Sequence, residues 1–177
     1  VLGLSLKVQA ATGPGGVGDT NGASVLRLWL KADAGVEQAD GLLPAEGEKV
    51  AAWRDQSGYG VDAVQATVTS RPVASISALN GQPAVRFDTT DGTNDYLILP
   101  HFMNFSDFTI FDVGQLLSDA TTARMVFETG GHNLYPKIQI RWHGSGDQYW
   151  VAVADASTNE FSYLDMGSVR TPHIGAH

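Results

Sequence analysis

Short runs in which apolar and polar residues alternate recur along the chain. Residues 25–33 (VLRLWLKAD) place leucine at every second position from 26 to 30. A period of two residues is typical of a β-strand that buries one face. The same criterion predicts strands at residues 25–33, 49–54, 83–88, 96–99, 108–115, 125–128, 137–143, 148–154 and 161–165. Sustained helical spacing of apolar residues is missing, so the pattern predicts an all-β chain.

Turn-forming residues separate the predicted strands. Residues 34–48 contain Gly35, Gly41, Pro44 and Gly47 without apolar periodicity, which is typical of a long loop. Residues 55–60 (DQSGYG) combine Asp, Ser and Gly, which suit sharp reversals of the backbone. Short strands separated in this way favour an antiparallel sandwich or jelly roll over a βαβ protein.

Length, composition and charge narrow the class of protein. The 177 residues, 43% of them hydrophobic, suffice for one domain with a sizeable core. The absence of cysteine excludes a disulfide scaffold, a thiolate metal site and cysteine catalysis. The 19 acidic residues outnumber 11 basic ones and are scattered, giving a net charge of −8. Nucleic acid and anionic membranes require clustered cations, so neither is predicted as a partner. No apolar run approaches the ~18 residues of a membrane span, so no membrane insertion is predicted.

Two segments precede the predicted sandwich. Residues 1–10 (VLGLSLKVQA) are interpreted as an ordered first strand, and the alternative is the remnant of a signal peptide ending in Val-Gln-Ala. Residues 11–24 hold five glycines and one proline, which predicts a flexible lead-in. The domain itself is therefore predicted to occupy residues 25–177.

Three segments, in this order and spacing, carry a resemblance to a known superfamily. They are residues 28–33 (LWLKAD), 53–60 (WRDQSGYG) with Ala63, and 79–88 (LNGQPAVRFD) leading to 95–97 (DYL). Together they resemble the concanavalin A-like lectin/glucanase superfamily, in particular the laminin-G-like jelly-roll domains of large secreted bacterial proteins. The resemblance covers residues 25–165. It implies two curved antiparallel sheets packed face to face, a secreted or cell-surface location, and sugar binding, adhesion or a calcium ion at the rim.

The end of the chain departs from this pattern. Such domains finish with a long apolar strand beside the first one, whereas residues 170–177 (RTPHIGAH) are predicted to carry no such strand. The jelly roll is therefore expected to lack its C-terminal strand. One hypothesis is that residues 1–8 fill the open edge, either in their own chain or by donation to a neighbour, since an open sheet edge is a template for strand addition.

The turn at residues 144–147 (GSGD) joins two aromatic-rich predicted strands, and closing it predicts their register. The expected pairs are Gln139 with Ala152, Arg141 with Trp150, Trp142 with Tyr149, and His143 with Gln148. One face of this hairpin is apolar and is expected to be core. The other face carries Lys137, Gln139, Arg141, His143, Gln148 and Trp150.

The polar face of that hairpin has the chemistry of a sugar site. Pyranose C–H groups stack on flat aromatic rings, while sugar hydroxyls take directed hydrogen bonds from guanidinium, imidazole and amide groups. The candidate carbohydrate-binding residues are therefore Gln139, Arg141, His143 and Trp150. The alternative is an ordinary solvated face with a cation–π contact between Arg141 and Trp150.

The loop at residues 88–95 (DTTDGTND) is rich in hard oxygen ligands. Its candidate metal ligands are Asp88, Asp91, Asn94 and Asp95. Calcium takes six to eight oxygens, and carbonyls and water would complete such a shell. The alternative is a loop between two strands shaped by Asx-turns, without an ion.

Catalytic constellations are not evident in the sequence. Ser57 has no recognisable His partner, and the segment Trp53–Gly58 is interpreted as structural, with Trp53 in the core and the Asp55 carboxylate capping the turn. A retaining glycosidase needs two carboxylates about 5 Å apart, and the closest pair, Glu46 and Glu48, lies in a glycine-rich loop. The five histidines are far apart, without a zinc-binding pair. No enzyme activity is predicted.

The sequence therefore predicts a secreted or cell-surface, non-catalytic binding or adhesion module. Its leading partner is a polysaccharide or other glycan. The alternative is a structural or assembly module of a cell-surface or filamentous protein, which binds neighbouring domains or copies of itself by strand addition at an open sheet edge.

Overall fold

The structure is a computed structural model that describes residues 12–88, 94–100, 102, 108–115, 124–128, 137–143, 148–154, 161–168 and 173–176. The chain forms two compact units, Val1–Pro100 and His101–His177. Within the described ranges the regular structure is almost entirely β, with single 3₁₀ turns at Pro14–Gly16 and Val68–Ser70. Every strand pair is antiparallel, which confirms the predicted all-β class. None of the helices in these ranges is long and apolar enough to cross a membrane.

The part of the first unit that the structure describes contains five strands in two groups. Their bounds are β1 Val36–Glu37, β2 Ala52–Trp53, β3 Ala63–Val64, β4 Val73–Leu79 and β5 Gln82–Arg86. A three-stranded sheet has the order β1-β2-β3, and β4 and β5 form a hairpin. The turn of this hairpin is Asn80-Gly81, whose φ angles of 52° and 76° match the left-handed backbone that a two-residue hairpin turn requires.

Residues 47–54 connect the two groups. At their start, Gly47 N donates to Ala74 O at 2.8 Å and Val50 N donates to Pro72 O at 2.8 Å, so this part lies along β4. One residue later Ala51 N donates to Glu37 O, and the segment continues as β2 between β1 and β3. A single extended segment thereby connects the sheet to the hairpin through backbone hydrogen bonds.

The core of the first unit lies around this connecting segment. Val50 is fully buried and clusters with Val36 and Ala74, while Trp53 and Val85 pack against the cluster. Trp53 was predicted to belong to the core, and its indole Nε1 also donates to Lys31 O at 2.7 Å. The apolar side chains that meet here come from β1, β2, β4 and β5 and from Val50, and their burial stabilises the two-residue strands β1 and β2.

Residues 25–33 do not form the strand that their alternation predicts. Lys31 makes one isolated bridge, to Ala34, and other backbone groups of the segment are bound by β2 and by the turn that follows it. Gln56 N donates to Trp29 O at 2.8 Å, and Trp29 N donates to Oδ1 of Asp55 at 2.9 Å. The predicted strand is wrong because its hydrogen-bond partners are side chains and turn amides rather than a neighbouring strand.

Residues 12–24 carry hydrogen-bonded turns of their own. Gly13 N donates to Gly18 O at 3.0 Å, and Thr20 N donates to the hydroxyl of Thr12 at 3.0 Å. Gly22 N then donates to Ser57 O at 3.2 Å. The predicted first strand or signal remnant at residues 1–10 lies outside the described residues.

The described residues of the second unit form six strands. Their bounds are β6 Phe111–Gly114, β7 Arg124–Glu128, β8 Lys137–His143, β9 Gln148–Ala154, β10 Phe161–Ser168 and β11 His173–Ala176. A four-stranded sheet has the order β10-β9-β8-β7, and β11 pairs with β6. The predicted bounds of β8 and β9 agree with the structure residue for residue.

The strand β11 lies within residues 170–177, but it is four residues long and pairs with β6, so it is not the long apolar strand beside the first one whose absence was predicted. Residues His173 to Ala176 pair in register with Gly114 to Phe111. Sequence patterning does not indicate this strand, because its four residues His, Ile, Gly and Ala show neither alternation nor an apolar run. The last described residues of the second unit, His173–Ala176, thus form a strand that pairs with β6.

Candidate functional site

The register between β8 and β9 places the predicted sugar-binding residues as the sequence indicated. Arg141 lies opposite Trp150, His143 opposite Gln148, and Gln139 opposite Ala152. All seven residues of β8 pair with β9 without a bulge, so the predicted register is confirmed. The register follows from the short turn between the strands and from their strict alternation, because a slip by one residue would exchange the two faces.

The outer strands extend this arrangement in both directions. Asp165 of β10 lies opposite Trp150, and Met125 of β7 lies opposite Arg141. One register row across the sheet is therefore Asp165, Trp150, Arg141 and Met125. The next row on the same face, two residues along each central strand, is Tyr163, Ala152, Gln139 and Glu128.

Sequence reasoning missed the two β10 members of these rows, Tyr163 and Asp165. The segment was predicted as a strand, but its alternation alone does not tell which strand it pairs with or in which register. The structure pairs Asp165 with Trp150 and Tyr163 with Ala152. Directly opposed residues in a sheet belong to the same face, so Tyr163 and Asp165 lie on the face of Trp150.

Exposure at β7 distinguishes the two faces of the sheet. Glu128, opposite Gln139, is exposed, whereas Phe127, opposite Ile140, is half-buried. Because opposed residues share a face, the face that includes the Gln139 position meets solvent at this edge. This agrees with the prediction that the polar positions of β8 lie on the outer side.

The second predicted site, the acidic loop, is described only in part. Asp91 lies outside the described residues, while Asp88, Asn94 and Asp95 lie within them. Asp88 and Asp95 close the loop together. Asp95 N donates to Asp88 O at 3.1 Å, and Asp88 N donates to Oδ2 of Asp95 at 3.0 Å.

The other carboxylate oxygen of Asp95 faces a lysine. Its side chain is only 2% exposed, and Oδ1 lies 3.6 Å from Nζ of Lys49, which also donates to Arg71 O at 2.7 Å. An ammonium group at this distance balances the buried carboxylate and repels a second cation. Within the described residues, no group of three or more acidic or histidine side chains is arranged to hold a metal ion. The contacts of Asp95 therefore hold the two ends of the loop together.

Removal of calcium is expected to leave thermal unfolding unchanged, because the Lys49 ammonium already occupies the position beside Asp95 Oδ1. The measurement is the melting temperature in excess EGTA against the same EGTA saturated with calcium. The two values are expected to agree within about 1 °C, since an ion that binds only the native state would raise the melting temperature in the second sample. A difference of several degrees would contradict this and support the predicted calcium loop.

The most densely hydrogen-bonded carboxylate in the described residues is that of Asp55. Oδ1 accepts hydrogen bonds from Trp29 N at 2.9 Å and Ser57 N at 2.8 Å. Oδ2 accepts from the Ser57 hydroxyl at 2.6 Å and from Val61 N at 3.1 Å. These contacts confirm that the carboxylate caps the turn, as its position in the DQSGYG segment predicts.

The environment of Asp55 keeps it ionised. Burial raises the pKa of its carboxyl, but the hydrogen bonds from Ser57, Trp29 and Val61 outweigh this effect and hold the pKa below its ordinary value. Ser57, the only other candidate for chemistry here, is fully buried, and its hydroxyl is engaged with Asp55. The pair therefore connects residues 27–29 to the turn at 55–61.

The carboxylates of Glu46 and Glu48, the closest sequence match to a glycosidase pair, bind backbone amides. Glu46 accepts hydrogen bonds from Ile76 N at 2.6 Å and from the Ser75 hydroxyl. Glu48 accepts from Ala45 N at 2.7 Å and from the Gln38 amide. Both side chains thus stabilise the loop between β1 and β2 and the start of β4.

Comparison of the chain with protein-family models, with curated proteins and with solved structures finds no match. The resemblance to the concanavalin A-like superfamily therefore stays a prediction, carried by the three segments that suggested it.

Proposed function

We propose that this chain is a non-catalytic carbohydrate-binding module that acts outside the cell, built on a laminin-G-like jelly roll. The observation that carries the proposal is the register of the four-stranded sheet. It brings Trp150 directly opposite Arg141 on the two central strands, with Gln139 and His143 at alternate positions on either side.

The chemistry of these four residues supports a glycan as ligand. The indole ring of tryptophan offers a flat apolar surface of the size of a sugar ring. Guanidinium and amide groups offer hydrogen-bond donors in fixed directions, and the amide and neutral imidazole also accept. Sugars present an apolar C–H face and a ring of hydroxyls. The tryptophan ring suits the C–H face, and the guanidinium, amide and imidazole groups suit the hydroxyls.

The position within the sheet supports the proposal further. Both β8 and β9 have a neighbour on each side, so their backbone groups are paired and the strands are held in register. A binding residue on such a strand is positioned by the sheet rather than by a loop, which lowers the entropic cost of ordering it when the ligand binds.

Substitution of Trp150 by alanine is expected to abolish glycan binding while the fold is retained. The loss is about fivefold to 150-fold in affinity, since one stacked aromatic ring contributes on the order of 1 to 3 kcal/mol. The measurement is binding to an array of soluble plant, bacterial and fungal polysaccharides, with circular dichroism and melting temperature recorded for both proteins. Equal binding by wild type and variant would contradict the proposed site.

The matched control is Trp29→Ala in the first unit. Trp29 is a half-buried tryptophan with the Lys31 ammonium 5.0 Å from its ring, so it offers a comparable aromatic and cationic pair. Glycan binding is expected to survive this change. Loss of binding in Trp29→Ala instead of Trp150→Ala would place the sugar site in the first unit.

The second candidate function is assembly by strand addition, which one observation favours. Among the described residues, the outer strands β7 and β10 each pair with one neighbour only, and β10 is eight residues long. A long outer strand offers unpaired backbone groups to another chain. Absence of any glycan signal, together with a molar mass that rises with protein concentration in light scattering, would favour assembly over sugar binding.

A further inference from the structure

We propose that Asn80 is a site of spontaneous deamidation, at which water converts the side-chain amide into a carboxylate. The sequence contains Asn-Gly twice, at residues 21–22 and 80–81, and the two pairs lie in different surroundings. Gly81 N lies at the exposed tip of the hairpin of β4 and β5 without a hydrogen-bond partner among the described residues, whereas Gly22 N donates to Ser57 O at 3.2 Å. The modification does not depend on the proposed sugar site, which lies in the second unit.

The chemistry needs only the chain and water. The backbone nitrogen of Gly81 gives up its proton and attacks Cγ of Asn80, so that a new C–N bond closes a cyclic imide. The bond between Cγ and Nδ2 breaks, and the side-chain nitrogen leaves as ammonia with that proton. Water then opens the imide, and addition at Cγ yields aspartate, whereas addition at the main-chain carbonyl carbon yields isoaspartate. Glycine favours the attack because it has no Cβ beside the reacting nitrogen.

Asn80 and Gly81 form an open turn. Both residues are exposed, and a Cβ added to Gly81 would have nothing within 4 Å. The hydrogen bond that closes such a two-residue turn joins the residues that flank it, here Leu79 and Gln82, and does not use the amide of the second turn residue. The attacking nitrogen is therefore not held by a hydrogen bond that has to break first.

Closure of the imide also requires the backbone of Asn80 to rotate out of the turn, and the hairpin is weakly joined at this point. Between Ser75 and Leu79 the register shifts, so that three residues of β4 lie between two pairs where β5 has only Pro83. Proline has no N–H to donate to the neighbouring strand. Beyond this irregularity one described pair closes the tip, and so short an end opens locally while the rest of the hairpin stays paired.

Asn21-Gly22 has the same chemistry in a closed environment. Gly22 N donates to Ser57 O, and the side-chain oxygen of Asn21 accepts a hydrogen bond from Ala23 N at 2.9 Å. A Cβ added to Gly22 would lie 2.4 Å from Gly58 O, so the two backbones are in close contact. The nitrogen is released for attack only when this contact opens, so we expect Asn21 to react slowly although it is exposed.

The test follows both asparagines in the same protein. The folded chain is incubated at neutral and at mildly alkaline pH, and a second sample is incubated in concentrated urea. Peptide mapping by liquid chromatography and mass spectrometry measures the deamidated fraction at each position over time, with Asn80→Asp as the standard for the aspartate product. The variants Gly58→Ala and Gly60→Ala carry the same substitution in one turn, but only the first places a Cβ against Gly22.

In the folded wild type, Asn80 is expected to react at least about fivefold faster than Asn21, since breaking one backbone hydrogen bond shifts an equilibrium by about that factor. The rate at Asn80 rises with pH, because the attacking nitrogen must lose a proton. In urea the two positions react at about the same rate. Gly58→Ala speeds the reaction at Asn21 but not at Asn80, whereas Gly60→Ala changes neither.

Different results overturn different claims. If Asn80 stays intact in the folded protein while both positions react in urea, the tip does not open and the proposed site is wrong. If both positions react equally fast in the folded protein, the hydrogen bond of Gly22 gives no protection. If Gly58→Ala leaves the rate at Asn21 unchanged, the contact between Gly22 and Gly58 is not what protects Asn21.

Discussion

Replacing Asp55 by asparagine is expected to lower the free energy of unfolding of the first unit by about 3 kcal/mol. The carboxylate accepts four hydrogen bonds, two at each oxygen. Asparagine preserves only the oxygen that serves Trp29 N and Ser57 N. Its amide nitrogen then faces the Ser57 hydroxyl and Val61 N–H. The hydroxyl can rotate and accept, but the Val61 amide loses its acceptor.

The same variant also reveals how the contribution of the Asp55 carboxylate to the free energy of unfolding depends on pH. The pKa of Asp55 is held below its ordinary value of 3.8 in the folded protein, so its ionised form favours folding. This contribution is fully present above pH 3.8 and is lost as the pH falls through the lower pKa of the folded state. The stability difference between wild type and Asp55→Asn is therefore expected to be constant near neutral pH and to shrink in acid below pH 3.8.

The control for this prediction is Asp40→Asn. Asp40 is exposed, and its Oδ1 accepts one hydrogen bond, from Leu42 N at 3.0 Å, which an asparagine oxygen can also accept. Its stability is expected to stay within about 0.5 kcal/mol of the wild type. The measurement is urea unfolding together with hydrogen exchange at the amides of Trp29, Ser57 and Val61. Unchanged exchange at these amides in Asp55→Asn would contradict the role assigned to the carboxylate.

The hairpin of β8 and β9 shows what the sequence predicts well. Its strand bounds and register follow from strict alternation and from a four-residue turn, and both signals are local. The rows that continue from this hairpin across the sheet depend on the strands beside it. The register of β10 shifts between Asp165 and Ser168, and that of β7 shifts between Met125 and Phe127. Such bulges depend on packing across the sheet, so the rows that contain Asp165 and Glu128 are not readable from local patterns.

Residues 25–33 show the opposite case. Their alternation is as regular as that of a strand, but Trp29 N is bound by the Asp55 carboxylate, 26 residues further along the chain. Periodicity reports which side chains are buried and not what satisfies the backbone. In residues 25–33 the leucines are only half-buried, and so are Trp29 and Lys31 of the opposite predicted face, so here the alternation indicates neither a buried face nor a strand pairing.

The strand β4 was missed although a local signal was present. The dipeptide Asn80-Gly81 is a strong hairpin signal, and it precedes the predicted strand that became β5. The preceding residues, VASISAL, mix serine and alanine with few large apolar residues, and their burial does not alternate, so hydrophobic periodicity does not indicate this strand. The turn chemistry was thus more informative than the hydrophobic pattern at this point.

Substitution of Gly58 by alanine is expected to release residues 20–22 from the turn that follows β2. The backbone of Gly58 has φ of 87°, and an added Cβ would lie 2.4 Å from Thr20 O and 2.5 Å from Gly22 N. Both contacts are with backbone atoms, so no side-chain rotation relieves them. The segment has to move away, and the hydrogen bond from Gly22 N to Ser57 O is lost with it.

The matched control for Gly58→Ala is Gly60→Ala, two residues further along the same turn. Gly60 also has a positive φ, 72°, but an added Cβ there has nothing within 4 Å. Both variants carry the cost of alanine in a left-handed backbone, about 1 to 2 kcal/mol, so this cost cancels in their comparison. Gly58→Ala is expected to unfold at lower urea concentration, with a further loss of about 2 kcal/mol and faster exchange at the Gly22 amide. Equal stability of the two variants would show that residues 20–22 do not depend on close contact with Gly58, because the control separates that contact from backbone strain.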